Sequence, residues 1–84
     1  MQTSHHKPCY YSSRLLENLK SLDTENKLYF ELINKAIYWA KKYHGNQKRK
    51  SGELYYTHPL EVAYMVSDYK LKTDIIVASI LHDI

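Results

Sequence analysis

The sequence predicts an all-α domain of about four helices. Three observations predict it. Apolar residues recur every three or four positions in four separate segments. No stretch alternates apolar and polar residues as a half-buried strand would. Only two Gly and two Pro punctuate the 84 residues. A chain of this length forms one small domain and buries about 60 to 65% of its unfolded surface, so a metal or a partner could matter for its folding.

Met1 to Ser13 is polar and Tyr-rich with Pro8 inside it, and reads as a mobile arm. The expected domain then runs over 14–84. His5-His6 in the arm is expected to be simply exposed, because a metal site needs about four converging groups. Arg14 to Leu22 carries Leu15, Leu16, Leu19 and Leu22 at helical spacing, enough for a short amphipathic helix. Asp23 and Thr24 then offer an N-cap for a second helix, whose stripe is Leu28, Tyr29, Leu32, Ile33, Ala36, Ile37, Ala40 and Tyr43. Gly45 suits the position just past its end, and basic residues suit its last turn. His44, in that turn, is expected to act as a structural cap.

Gln47 to Thr57 reads as a loop broken by Ser51-Gly52. A third helix is expected to start at Pro59, with His58 held at its N-cap edge and Leu60, Ala63, Val66 and Tyr69 on the buried side. A fourth starts at Thr73-Asp74. Its residues Ile75, Ile76, Val77, Ala78, Ile80 and Leu81 leave little polar face, so it is expected to be the most enclosed helix, and His82 and Asp83 at its end are conspicuous.

Several classes of function are set aside by composition. Cys9 is the only cysteine, so the chain contains no disulfide framework and no thiolate zinc site, and a reducing cytoplasm is expected. The apolar run from Ile75 is interrupted by Ser79 and is far shorter than the roughly 20 residues of a membrane span. The first residues lack the apolar stretch of a signal peptide. The net charge of +3 is mild. Its distribution is not, since Lys41, Lys42, Lys48, Arg49 and Lys50 lie within ten residues that hold no acid, which suits either a solvated loop or a local anionic partner. Nine Tyr could add stacking surface to that charge, but no nucleic-acid motif accompanies it, and a nucleic-acid partner is not expected.

A histidine followed by an aspartate can offer an imidazole nitrogen and a carboxylate oxygen to one divalent ion, and a second histidine on a neighbouring helix can extend the set. Alone, His82-Asp83 is weak evidence and is better read as a capping or packed His82 at a helix end with a solvated Asp83. Its context decides. Arg49-Lys50-Ser51-Gly52-Glu53, Tyr55, His58-Pro59-Leu60-Glu61-Val62-Ala63 and Leu81-His82-Asp83 together resemble the hydrolase domain of the RelA/SpoT family, over about Lys35 to Ile84.

The resemblance implies an HD-domain helical bundle that binds Mn²⁺ and hydrolyses the 3′-pyrophosphate of guanosine tetra- and pentaphosphate, (p)ppGpp. It implies His58, His82 and Asp83 as metal ligands, and Arg49, Lys50 and Ser51 as nucleotide contacts. Such roles agree with the chemistry, since a metal can activate a bound water while Arg and Lys neutralise phosphates. The chain departs from the family pattern in having Leu54 where Pro is usual and Gly45-Asn46 in place of Lys-Gly. Ile84 is its last residue, ahead of the family's Glu-Asp pair and of the later Asp that is the fourth protein ligand. The expectation is therefore the front part of the domain, inactive by itself, with no catalytic residue of its own and with a second polypeptide completing it. The alternative is a non-enzymatic remnant that binds nucleotide or protein.

Overall fold

The computed structural model describes residues 10–84 and contains four α-helices: α1 (Tyr10–Leu22), α2 (Phe30–His44), α3 (Thr57–Ser67) and α4 (Thr73–Leu81). Among the described residues the only β pairing is an isolated antiparallel bridge between Lys48 and Leu54. Helix α3 packs on both α1 and α4, and α4 also packs on α2. Leu15 and Leu19 of α1, Ile33, Ala36, Ile37 and Ala40 of α2, Leu60 and Ala63 of α3, and Ile76 and Ile80 of α4 meet in one core. Each fully buried Leu or Ile in it contributes about 1.5–3 kcal/mol relative to exposure. Arg14 ties α1 to α3 by pairing with Glu61 and lying over the Tyr64 ring, 4.2 Å from its centroid.

The first nine residues of the expected arm, with His5, His6 and Cys9, lie outside the described residues; the remaining four, Tyr10 to Ser13, form the first turn of α1. Helix α2 begins later than the Asp23-Thr24 cap predicts. The carboxylate of Asp23 instead accepts the amides of Lys27 and Leu28 at 2.8 and 3.0 Å, which closes a turn. Asn26 within it takes φ of 56°, a left-handed conformation that an α-helix cannot contain and that Asn tolerates. Thr73 does not cap α4 either, since its hydroxyl accepts the Tyr29 amide at 2.9 Å and so joins the start of α2 to the start of α4.

His58 does not stand at the edge of α3. It lies in the first turn, because the bonds Thr57 N–H to Leu54 O (3.2 Å) and His58 N–H to Tyr55 O (3.0 Å) carry the chain into helix before Pro59 is reached. Pro59 is the third helical residue, where a missing N–H costs no intrahelical bond. The buried stripe of α3 is also displaced. Leu60, Ala63 and Ser67 are buried, whereas Tyr69 is 85% exposed beyond the helix end. Helix α4 is not the most enclosed: Ile76 and Ile80 are fully buried, but Ile75, Val77 and Leu81 are only partly covered and Ala78 is exposed.

Candidate metal centre

Helix α2 stops where expected. The Gly45 amide donates to the Lys41 carbonyl at 2.9 Å, and Gly45 turns the chain out with φ of 53°, which favours a residue without a Cβ. Beyond Gly45 the chain folds into a small hairpin. Tyr55 N–H donates to Gln47 O at 2.7 Å, Arg49 N–H to Glu53 O at 2.8 Å, and Gly52 N–H to Arg49 O at 2.9 Å, closing a turn over Arg49–Gly52. Gly52 has φ of 96°, the second position where glycine is required by the backbone. The Tyr11 hydroxyl of α1 donates to the Glu53 carboxylate at 2.8 Å and anchors the hairpin from outside; that bond holds the Tyr11 phenol above its usual titration range.

The hairpin exposes Arg49, Lys50 and Ser51. With Gln47, Lys48 and Tyr55 they line an open cavity of about 550 Å³. Short backbone bonds fix the turn while leaving the two cations solvated, so they can reach an anion without first giving up an ion pair. A second cavity lies against the α1–α2 and α3–α4 connections, lined in part by Asp23, Lys27, Leu71 and Thr73, and none of the sequence-predicted site residues lines it.

His58, His82 and Asp83 come together. One ligand atom from each lies within 4.8 Å of the others, and no further His, Cys, Asp or Glu joins this set among the described residues. Helix α3 brings His58 from its first turn, and the end of α4 brings the other two. The α4 partner of the set is tightly specified. His82 Nδ1 sits 2.6 Å from the Ser79 carbonyl, so it carries the ring proton and donates it there. The other ring nitrogen, Nε2, faces Asp83 Oδ1 at 3.2 Å. A proton on Nε2 or a metal ion against both atoms can bridge this pair. The donor set therefore fits a divalent cation, with the Ser79 carbonyl fixing the imidazole tautomer as outer-shell partners of metal-binding histidines do.

Two residues at the site carry roles that sequence reasoning did not assign. Tyr55 donates its hydroxyl to Asp83 Oδ2 at 3.2 Å, and this bond, together with the negative charge of Asp83, raises the Tyr55 phenol above its usual range. His44, expected as a structural cap, is buried at 5% exposure, with its ring 4.8 Å from that of Tyr55 and Nδ1 3.2 Å from Gln47 Oε1. Its Nε2 is buried with no hydrogen-bond partner among the described residues. A signal for His44 was available in its spacing, since Ala36, Ile37, Ala40 and His44 continue one helical face whereas Tyr43 falls on the other.

Residues 36–84, more than half of the chain, match the HD domain family. The chain belongs to that family. The matched segment starts one residue after the sequence resemblance does, and it contains the hairpin and all three clustered side chains. Relatives of this HD domain are RelA/SpoT-type proteins. A protein of Mycoplasma genitalium named probable guanosine-3′,5′-bis(diphosphate) 3′-pyrophosphohydrolase is 50% identical over 54 residues, covering 64% of this chain and 8% of that protein. The GTP pyrophosphokinase rsh of Brucella ovis is 48% identical over 52 residues, 62% of this chain and 7% of the relative. The guanosine-3′,5′-bis(diphosphate) 3′-pyrophosphohydrolase of Aquifex aeolicus is 41% identical over 69 residues, 82% of this chain and 10% of the relative. The chain thus spans a tenth or less of the length of these relatives. No solved structure matches it. No helix among the described residues is long and apolar enough to cross a membrane.

Proposed function

We propose that this HD domain is the front part of a (p)ppGpp 3′-pyrophosphohydrolase domain, in which His58, His82 and Asp83 hold Mn²⁺ and Arg49, Lys50 and Ser51 contact the nucleotide. One observation carries the reading: one ligand atom from each of His58, His82 and Asp83 lies within 4.8 Å of the others, with the His82 imidazole oriented by its Nδ1–H bond to the Ser79 carbonyl. A bound divalent ion would supply Lewis acidity and a water of lowered pKa. The chain's own residues do the rest. Arg49 and Lys50 offer guanidinium and ammonium groups to phosphate oxygens, and the backbone bonds of the Arg49–Gly52 turn fix the segment that carries them.

Asp83 is committed to the ligand set, and no other carboxylate joins it among the described residues, so no group is free there to serve as general base. On this reading hydrolysis draws on groups outside the described residues, and a second polypeptide is one source of them. A role in the stringent response and a cytoplasmic setting, both implied by the family resemblance, belong to the same proposal.

Calorimetric titration of the chain with Mn²⁺ and then with ppGpp tests it. The expected result is one Mn²⁺ site lost in His82→Ala, and ppGpp binding that needs Mn²⁺ and disappears in His58→Ala. Binding of ppGpp unaffected by metal and by His58→Ala would leave a nucleotide-binding module without a metal centre. Turnover of ppGpp by the chain alone, lost in His82→Ala, would mean that a second copy completes the site.

A further inference from the structure

The hairpin cavity and the metal corner meet at Tyr55. Its side chain lines the cavity with Gln47, Lys48, Arg49, Lys50 and Ser51, and its hydroxyl donates to Asp83 Oδ2. The carboxylate of Asp83 is thereby divided. Oδ2 is occupied by the phenol, and Oδ1 is the atom 3.2 Å from His82 Nε2. A carboxylate free to rotate could turn either oxygen, or both, toward the imidazoles; one pinned at Oδ2 presents Oδ1 in a single direction.

The phenol is held firmly enough to do this. The backbone amide of Tyr55 donates to Gln47 O at 2.7 Å, which fixes the residue in the hairpin ladder. One side of the ring lies 4.8 Å from the buried imidazole of His44, and His58 lies 6.1 Å away, centroid to centroid. His44 is itself tethered through Nδ1 to the Gln47 side chain at 3.2 Å. Tyr55 can neither leave the hairpin nor swing its ring without disturbing a buried neighbour.

We propose that Tyr55 is a positioning residue, which sets the direction in which Asp83 offers its oxygen to the metal and joins the nucleotide-binding hairpin to that centre. The proposal rests on His58, His82 and Asp83 being the metal ligands. Removal of an outer-shell partner of a ligand typically weakens metal binding about 10–100-fold. A nucleotide seated on the hairpin would act on Asp83 through the same phenol.

The test is Tyr55→Phe in the full chain, which removes the hydroxyl and keeps the ring against His44 and His58. Two readouts are made: Mn²⁺ affinity by calorimetry, and the visible absorption of Co²⁺ bound in place of Mn²⁺. The expected result is unchanged far-ultraviolet circular dichroism, a roughly tenfold or greater loss of Mn²⁺ affinity, and a displaced Co²⁺ band, because the carboxylate has changed its angle to the ion. A merely structural role would leave the band in place once the site is filled. An unsubstituted chain that binds Mn²⁺ and a Tyr55→Phe variant with the same affinity and the same Co²⁺ band would overturn this proposal alone. An unsubstituted chain that binds neither metal would overturn the ligand assignment and this proposal together. Should Tyr55→Phe lose its helical signal, Tyr55→Met provides the second variant: it removes the hydroxyl but leaves the ligand set intact, and the same Co²⁺ displacement and loss of Mn²⁺ affinity are expected, with the absence of both counting against the proposal.

Discussion

Helices α2 and α4 use apolar residues in opposite ways. Helix α2 alternates faces: Ile33, Ala36, Ile37, Ala40 and His44 are buried, while Leu32, Tyr38, Trp39 and Tyr43 stand 41–61% exposed on the far side. Helix α4 is apolar almost all round, yet only Ile76 and Ile80 are fully buried. An apolar stripe says which face can be covered; an all-round apolar helix says nothing of how many faces are. The difference matters for the site, because the buried side of α4 ends at Asp83 and its open side ends at His82, whose side chain is 41% exposed against 25% for Asp83. The candidate metal corner therefore sits at the border between the filled core and the uncovered face.

The largest expected effect is on the filled side. Ile80 is fully buried one turn from Asp83, and Ile80→Ala should cost about 2–5 kcal/mol through lost transfer energy and the cavity left behind. For a domain this small that is much of its stability. Chemical denaturation followed by circular dichroism measures it. A cost below about 1 kcal/mol would mean that α4 is as loosely held inside as outside, and the contrast with α2 would disappear.

A smaller effect sharpens the α2 half of the contrast. The register of its buried stripe depends on the turn before it, where Asp23 is 8% exposed and accepts two backbone amides. Asp23→Ala strands both donors, the Leu28 amide in a buried position, and should cost about 1–2 kcal/mol. Asp23→Asn keeps one acceptor oxygen and should recover part of the loss. Equal stability of Asp23→Ala and the unsubstituted chain would show that the core alone sets where α2 begins.

These two helices also mark how much was legible in the sequence. The all-α class, the four segments and the end of α2 at Gly45 follow from spacing and from glycine chemistry, both local. His58, His82 and Asp83 were legible through their pattern, and the structure brings them within 4.8 Å. What escaped has a physical reason in each case. The start of α2 depends on Asp23 choosing a turn over a helix cap, two options that share one carboxylate and one sequence. Proline at position 59 suggested a boundary that two short-range bonds from the hairpin had already passed. The Tyr55–Asp83 bond joins residues 28 apart through tertiary packing alone, and no spacing rule carries it. The enclosure expected for α4 failed because hydrophobicity measures what a helix would gain from cover, not the cover it has.

The smallest effect tests that last point most directly. Ala78 is exposed on the open side of α4, between the exposed Asp74 and His82 at four-residue intervals. Ala78→Ser should change stability by no more than about 0.5 kcal/mol, since an exposed hydroxyl is solvated at little cost and Ser is only modestly poorer than Ala in a helix. In a protein where a further element lies over this face, the same substitution would bury a hydroxyl with no assured partner, at about 1–3 kcal/mol. Measuring Ala78→Ser in the chain alone and again with a candidate completing polypeptide separates the two states. A cost that rises in the mixture would place the added element on the Asp74–Ala78–His82 side of α4, directly beside the metal corner. A cost that stays near zero would leave that face open in the mixture too, and any added element would have to approach from the hairpin side.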